Sequence, residues 1–118
     1  MTKGKVDPGT VEIIRNALQS IVMEMKVTIM RSAYSSTIQE AQDFSVALFE
    51  RDRMIAQGDT IPAHTGSCYQ RVKSILEKYP ADTLNHGDVI MMNDPYFGGT
   101  HTPDMSFLKC NNCAFCVY

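Results

Sequence analysis

Val89-Ile90-Met91-Met92-Asn93-Asp94-Pro95-Tyr96-Phe97-Gly98-Gly99-Thr100-His101-Thr102-Pro103-Asp104 is the stretch on which the fold and chemistry of this chain turn. Four apolar residues read as a short buried strand, and the loop that follows leaves its end, a common way to hold reactive side chains on a rigid base. Asp94, His101 and Asp104 are hard or borderline metal ligands, and His101-x-x-Asp104 is a pair that can close on one ion. Gly98-Gly99 permits backbone angles closed to other residues, and Pro95 and Pro103 stiffen the turns. The plain alternative is that Asp-Pro and Gly-Gly are turn chemistry and His101 bonds a backbone group.

Working outward, Asp7-Pro8 reads as a helix cap followed by proline at the first helical position. Ile14, Leu18, Ile21, Met25 and Ile29 recur at three- and four-residue steps, widened by Val11, Val22 and Ala33, which predicts a helix over residues 8–34 with that face buried. Ser35-Ser36-Thr37 favours a break. Residues 43–49 alternate Phe44, Val46, Leu48 against Ser45, Ala47, Phe49 as a strand would, and 54–57 return after the polar turn Arg51-Asp52-Arg53 as the second arm of a hairpin. A second helix is expected from Gly66 to Lys78, with Val72, Ile75, Leu76 and Tyr79 buried and Pro80 ending it. Residues 85–88 make a turn into the strand Val89–Met92. The class is therefore α+β: a long amino-terminal helix, a β-hairpin, a second helix and a further strand, within a larger mixed-sheet domain.

Bulk properties narrow the function. At 118 residues the chain forms one domain at most, and a 44% hydrophobic content is enough for a core. A net charge of -2 with 11 scattered Lys and Arg leaves no footprint for nucleic acid. No apolar run is long enough to span a bilayer, and the start Met-Thr-Lys-Gly-Lys has no apolar leader, so a cytoplasmic protein is expected. Reduced thiols follow from that location. Cys110, Cys113 and Cys116 form a C-x-x-C-x-x-C run that would ligate zinc only with a fourth donor, for which Cys68 and His86 are the candidates.

Two more residues stand out. His64 precedes Gly66-Ser67, whose backbone N–H groups at a helix start would suit an anion; alternatively Thr65 or Ser67 caps that helix and His64 faces solvent. Asp43, at the head of an apolar strand, is either an edge residue or a ligand on a rigid element. Neither a G-x-S-x-G elbow nor a phosphate-binding glycine loop occurs in the sequence.

Val11 to Leu18, Arg31-Ser32-Ala33-Tyr34-Ser35, Asp43-Phe44-Ser45, Ile61-Pro62-Ala63-His64-Thr65-Gly66-Ser67 and Gly87 through Asp104 resemble, in order, the amino-terminal region of the hydantoinase B family. That family takes in N-methylhydantoinase β-subunits, the corresponding half of each 5-oxoprolinase chain, and related subunits of acetone- and acetophenone-type carboxylases. The resemblance implies a hydantoinase A-like companion subunit that binds ATP and phosphorylates the substrate's carbonyl oxygen, in a hetero-oligomer. This chain would supply part of a metal-centred site where the activated cyclic amide is opened. The implied ligands to zinc, manganese or iron are Asp43, His101 and Asp104, joined by a histidine further downstream, with His64 as the catalytic-site contact to substrate or phosphate. An ATP-dependent ketone carboxylase subunit is the same-family alternative. A small zinc-binding or interaction module using the terminal cysteines is the alternative outside it.

The likeness extends over residues 7 to about 107, so residues 1–107 read as the amino-terminal part of a hydantoinase B-like domain and 108–118 as a divergent, cysteine-containing tail rather than a strand continuation. Family members are several times longer. A truncated product is the simpler reading, and it would be inactive alone and marginally stable or self-associating.

Overall fold

The computed structural model describes residues 6–59, 61–111 and 114–117, the last four together with Pro62 and Ala63 as backbone only. The elements run α1 (Pro8–Ser32), α2 (Ser36–Gln39), β1 (Ala47–Glu50), β2 (Arg53–Gln57), α3 (Pro62–Lys78), β3 (Val89–Met92), β4 (Ser106–Asn111) and β5 (Ala114–Val117). The class is α+β. The five strands form one sheet in the order β2-β1-β5-β4-β3, antiparallel at every pairing.

α1 begins where its cap chemistry dictates. The Asp7 carboxylate accepts from Thr10 N–H at 2.9 Å, and proline follows at the first helical position. Its buried line differs from the expected one. Val22 is fully buried, Leu18, Met25 and Ile29 are partly so, while Val11, Ile14 and Ile21 stay about half exposed. The reason is that α1 packs on β1 and β2 through its middle and later turns, leaving its first turns without a sheet beneath them.

The 43–49 alternation is real although regular pairing begins only at Ala47. Phe44, Val46 and Leu48 pack under α1; Ala47 and Phe49 pack on the opposite face under α3. Burial on both faces is what a central strand requires. Arg51 at φ 54 makes the tight turn into β2. Gly58 closes against this layer, donating to the Val46 carbonyl at 2.8 Å.

α3 starts at Pro62, four residues before the expected Gly66, because Pro62 takes the first helical position with Ile61 as its cap. Gly66 and Ser67 therefore lie inside the helix, and their N–H groups are not a helix-start anion site. Ser67 Oγ donates instead to the His64 carbonyl at 2.7 Å. Cys68, Val72 and Ile75 bury against β1, β4 and Met92; Leu76 is half-buried, and Tyr79, expected inside, is exposed at the helix end.

Residues 106–111 are strand, where a tail was expected from residue 108. They form β4, whose alternating burial puts Ser106, Leu108 and Cys110 inward and pairs the strand with β3. β5 then inserts between β4 and β1, joining the two hairpins into a single sheet. No helix among the described residues is long and apolar enough to cross a membrane.

Candidate active site

The loop between β3 and β4 is folded by its own side chains. The Asp94 carboxylate accepts from Tyr96 N–H at 2.9 Å and caps the 3-10 turn Pro95–Phe97. Gly98 follows at φ 94, where a Cβ would lie 2.8 Å from Ser74 Oγ and 3.2 Å from the Gln70 carbonyl on α3. Gly99 donates to the Asp94 carbonyl at 2.9 Å, and a Cβ there would meet that same oxygen at 2.7 Å. Asn93 Nδ2 reaches across the loop to the Thr102 carbonyl at 2.8 Å. Asn93 and Asp94 thus fold the loop, so the ligand-like Asp94 is a capping residue.

This folding aims His101 and Asp104 into a cleft of about 440 Å³ between α2, the segment before β1, α3 and the loop. The residues singled out from sequence meet there: Asp43, His64, His101 and Asp104 all line it. Ile29, Ile38, Phe44 and Met105 supply apolar walls. Asp43 sits in an extended segment ahead of β1 rather than in a strand. It is held by its N–H on the Thr37 carbonyl at 3.1 Å, beside Gln42 at φ 53.

The four groups form two imidazole–carboxylate pairs. His64 Nε2 lies 3.5 Å from Asp43 Oδ1, and His101 Nε2 lies 3.0 Å from Asp104 Oδ1. Among the described residues no three His, Cys, Asp or Glu side chains come together as a metal-holding group. The donor chemistry, imidazole nitrogen with carboxylate oxygen, is that of a borderline divalent cation.

The sequence reading missed the cation in the cleft wall. Arg71, buried on α3, donates from Nη1 to Ser106 Oγ at 2.7 Å and from Nη2 to Thr100 Oγ1 at 2.8 Å, and its Nη2 lies 3.4 Å from Asp104 Oδ2. The available signal was its place among Cys68, Val72 and Ile75, where a charged residue shares the apolar face of the helix. Asp104 is desolvated by burial, which opposes ionisation. The Thr100 hydroxyl and the positive fields of His101, His64 and Arg71 outweigh that cost and hold its carboxyl below the ordinary value.

Cys68 also lines the cleft. Burial raises its thiol pKa against a smaller opposing pull from Arg71, so it stays protonated and is no activated nucleophile at neutral pH. Cys110 is buried in the same apolar cluster as Cys68. The expected cysteine knuckle extends to Cys113 and to the Cys116 side chain, which lie outside the described residues.

Comparison with known proteins identifies the family. The sequence profile of the hydantoinase B/oxoprolinase family matches residues 7–111, four residues past the expected limit and so through β4. A protein from a Pseudomonas species, provisionally named as the B component of a D-/L-hydantoinase, is 37% identical over 107 residues, covering 87% of this chain and 18% of the relative. The beta subunit of caprolactamase from Pseudomonas jessenii is 38% identical over 105 residues, covering 88% and 18% respectively. The 5-oxoprolinase of Dictyostelium discoideum is 34% identical over 109 residues, covering 88% of this chain and 8% of that protein. The chain thus spans less than a fifth of the length of each of these relatives. No solved structure matches it. A profile match over residues 7–111, together with relatives above 30% identity along most of the chain, shows that this protein belongs to the hydantoinase B/oxoprolinase family.

Proposed function

We propose that this chain contributes part of a metal-centred site for ATP-dependent opening of a cyclic amide, working in the cytoplasm with a hydantoinase A-like subunit that binds the ATP. The observation that carries the reading is the meeting of Asp43, His64, His101 and Asp104, from three separate segments, in one cleft. Relatives named as a hydantoinase, a caprolactamase and a 5-oxoprolinase support the cyclic-amide class. The first two are named as parts of larger enzymes, which supports a multi-subunit assembly.

Asp43, His101 and Asp104 would hold a divalent cation, with a further histidine expected from the rest of a family-length protein. When bound, such an ion lowers the pKa of a coordinated water or polarises a carbonyl. The chain's own residues do the remaining work. The Asp43 and Asp104 carboxylates, set against the single Arg71 guanidinium, leave the cleft negative and suited to a cation. His64, on the α3 wall, would contact the substrate or its phosphoryl group through Nε2. Ile29, Ile38, Phe44 and Met105 exclude water from the amide ring.

Equilibrium dialysis of the chain against Mn²⁺ or Zn²⁺, followed by elemental analysis, tests the metal assignment. One ion per chain is expected, lost in Asp43→Asn, His101→Gln and Asp104→Asn and kept in Cys110→Ser. An ion kept in all three site variants but lost with the thiol would overturn it. For the substrate class, hydantoin, 5-oxoproline and caprolactam are offered with ATP to the family-length protein and its A-type partner. Bicarbonate-dependent carboxylation of acetone without any ring opening would count against the hydrolase.

A further inference from the structure

The Arg71 guanidinium gathers the loop around itself. Its side chain is 5% exposed, and its contacts fall on three residues of the segment 100–106: Ser106 Oγ from Nη1, Thr100 Oγ1 from Nη2, and Asp104 Oδ2 opposite Nη2. The Thr100 hydroxyl also donates to Asp104 Oδ2. The two carboxylate oxygens of Asp104 therefore have different lives. Oδ2 is taken by Thr100 and Arg71; Oδ1 faces His101 Nε2.

We infer that Arg71 is a positioning residue: it fastens the 100–106 segment to α3 and commits Oδ2, so that Asp104 presents Oδ1 alone, beside His101, to whatever occupies the cleft. The role rests on the proposed reading of Asp104 and His101 as donors, and it concerns how they are aimed rather than what they bind. A guanidinium suits the task because its planar fork directs separate N–H groups at separate acceptors, whereas a lysine ammonium is a point charge on a flexible stem. Both terminal nitrogens are engaged by the loop, and the buried Nε has no partner among the described residues. Arg71 lines the cleft, yet both terminal nitrogens are already committed to Thr100, Asp104 and Ser106. A buried charge is also a poor device for stability alone, since its desolvation offsets most of the attraction it gains.

The experiment uses the full 118-residue chain, ¹⁵N-labelled and metal-free, and reads the long-range ¹H–¹⁵N signals of the His101 and His64 imidazoles at fixed pH. In the wild type His101 is expected to show the distinct nitrogen shifts of a ring held by one carboxylate oxygen. Arg71→Lys should collapse them towards the averaged values of a free imidazole while leaving His64 unchanged. Thr100→Val, which removes one strut and keeps the charge, should move His101 partway in the same direction. A lowered melting temperature in Arg71→Lys with His101 signals identical to wild type would overturn the inference, because that is what a purely structural arginine predicts. Should Arg71→Lys fail to fold, Thr100→Val carries the same decision.

Titration with Co²⁺ as the probe then separates this inference from the reading it rests on. Binding weakened tenfold or more in Arg71→Lys supports the positioning role, and equal binding in both chains counts against it. A wild-type chain that binds no Co²⁺ shows that Asp43, His101 and Asp104 do not hold a cation without the further histidine, while the imidazole spectra still decide Arg71.

Discussion

His64 Nε2 stands 3.5 Å from Asp43 Oδ1, joining the first turn of α3 to the extended segment ahead of β1 across the mouth of the cleft. Both side chains are partly open to solvent, so the pair is screened and contributes only about 0–1 kcal/mol to folding. Asp43→Asn should therefore leave the denaturation midpoint nearly unchanged while abolishing divalent-cation uptake. Chemical denaturation beside equilibrium dialysis checks both halves. A large loss of stability with cation uptake intact would make Asp43 a structural residue.

Asp104 gives the chain an acid-sensitive element. Its carboxyl titrates below the ordinary value of about 3.9 because the Thr100 hydrogen bond and nearby positive charges outweigh desolvation. A depressed folded-state pKa stabilises the fold fully above the unfolded value, and that contribution is lost as pH falls through the folded one. Wild type should therefore lose stability from about pH 4 downward more steeply than Asp104→Asn, and the two curves should run parallel above about pH 5. Urea midpoints measured at half-unit pH steps decide it.

The 93–105 loop passes so close to α3 that Gly98 has no room for a side chain. An alanine there must hold φ 94 and push its Cβ to 2.8 Å from Ser74 Oγ and 3.2 Å from the Gln70 carbonyl. Gly98→Ala should cost about 1–3 kcal/mol by strain and crowding. Gly66 is the control: a Cβ meets nothing within 4 Å inside α3, and Gly66→Ala should stabilise by about 0.4–1 kcal/mol. Urea denaturation of the two variants should move their midpoints in opposite directions.

What was legible from sequence, and what was not, follows from which interactions are local. The Asp7-Pro8 cap, the 43–49 alternation and the Asp94–Asp104 turn chemistry depend on neighbours in the chain, and each appears in the fold. The meeting of Asp43, His64, His101 and Asp104 in one cleft came from the family resemblance, since nothing in their spacing dictates it. Arg71 escaped notice because its partners Thr100, Asp104 and Ser106 lie 29 to 35 residues later in the chain. β4 escaped because Ser106 and Cys110 are small inward-facing residues, so its alternation carries little hydrophobic contrast. The bare first turns of α1 escaped because its apolar stripe runs further along the helix than the strip of sheet it covers.

Those bare turns give the last prediction. Val22 is fully buried between α1 and the β1–β2 hairpin, whereas Ile14, two turns earlier on the same helix, is 53% exposed. Val22→Ala removes two methyl groups at about 0.8 kcal/mol each and leaves a cavity, for a loss of about 1.5–3 kcal/mol. Ile14→Ala removes more hydrocarbon, yet in this chain it should stay within about 0.5 kcal/mol of wild type, since alanine's helix propensity offsets the little burial lost. A face centred on Ile14 and Ile21 would reverse that order. Guanidinium denaturation of both variants therefore tests which turns of α1 the sheet covers. Equal and large losses at the two positions would mean that the first turns of α1 are covered in solution by a surface absent from the packing described above.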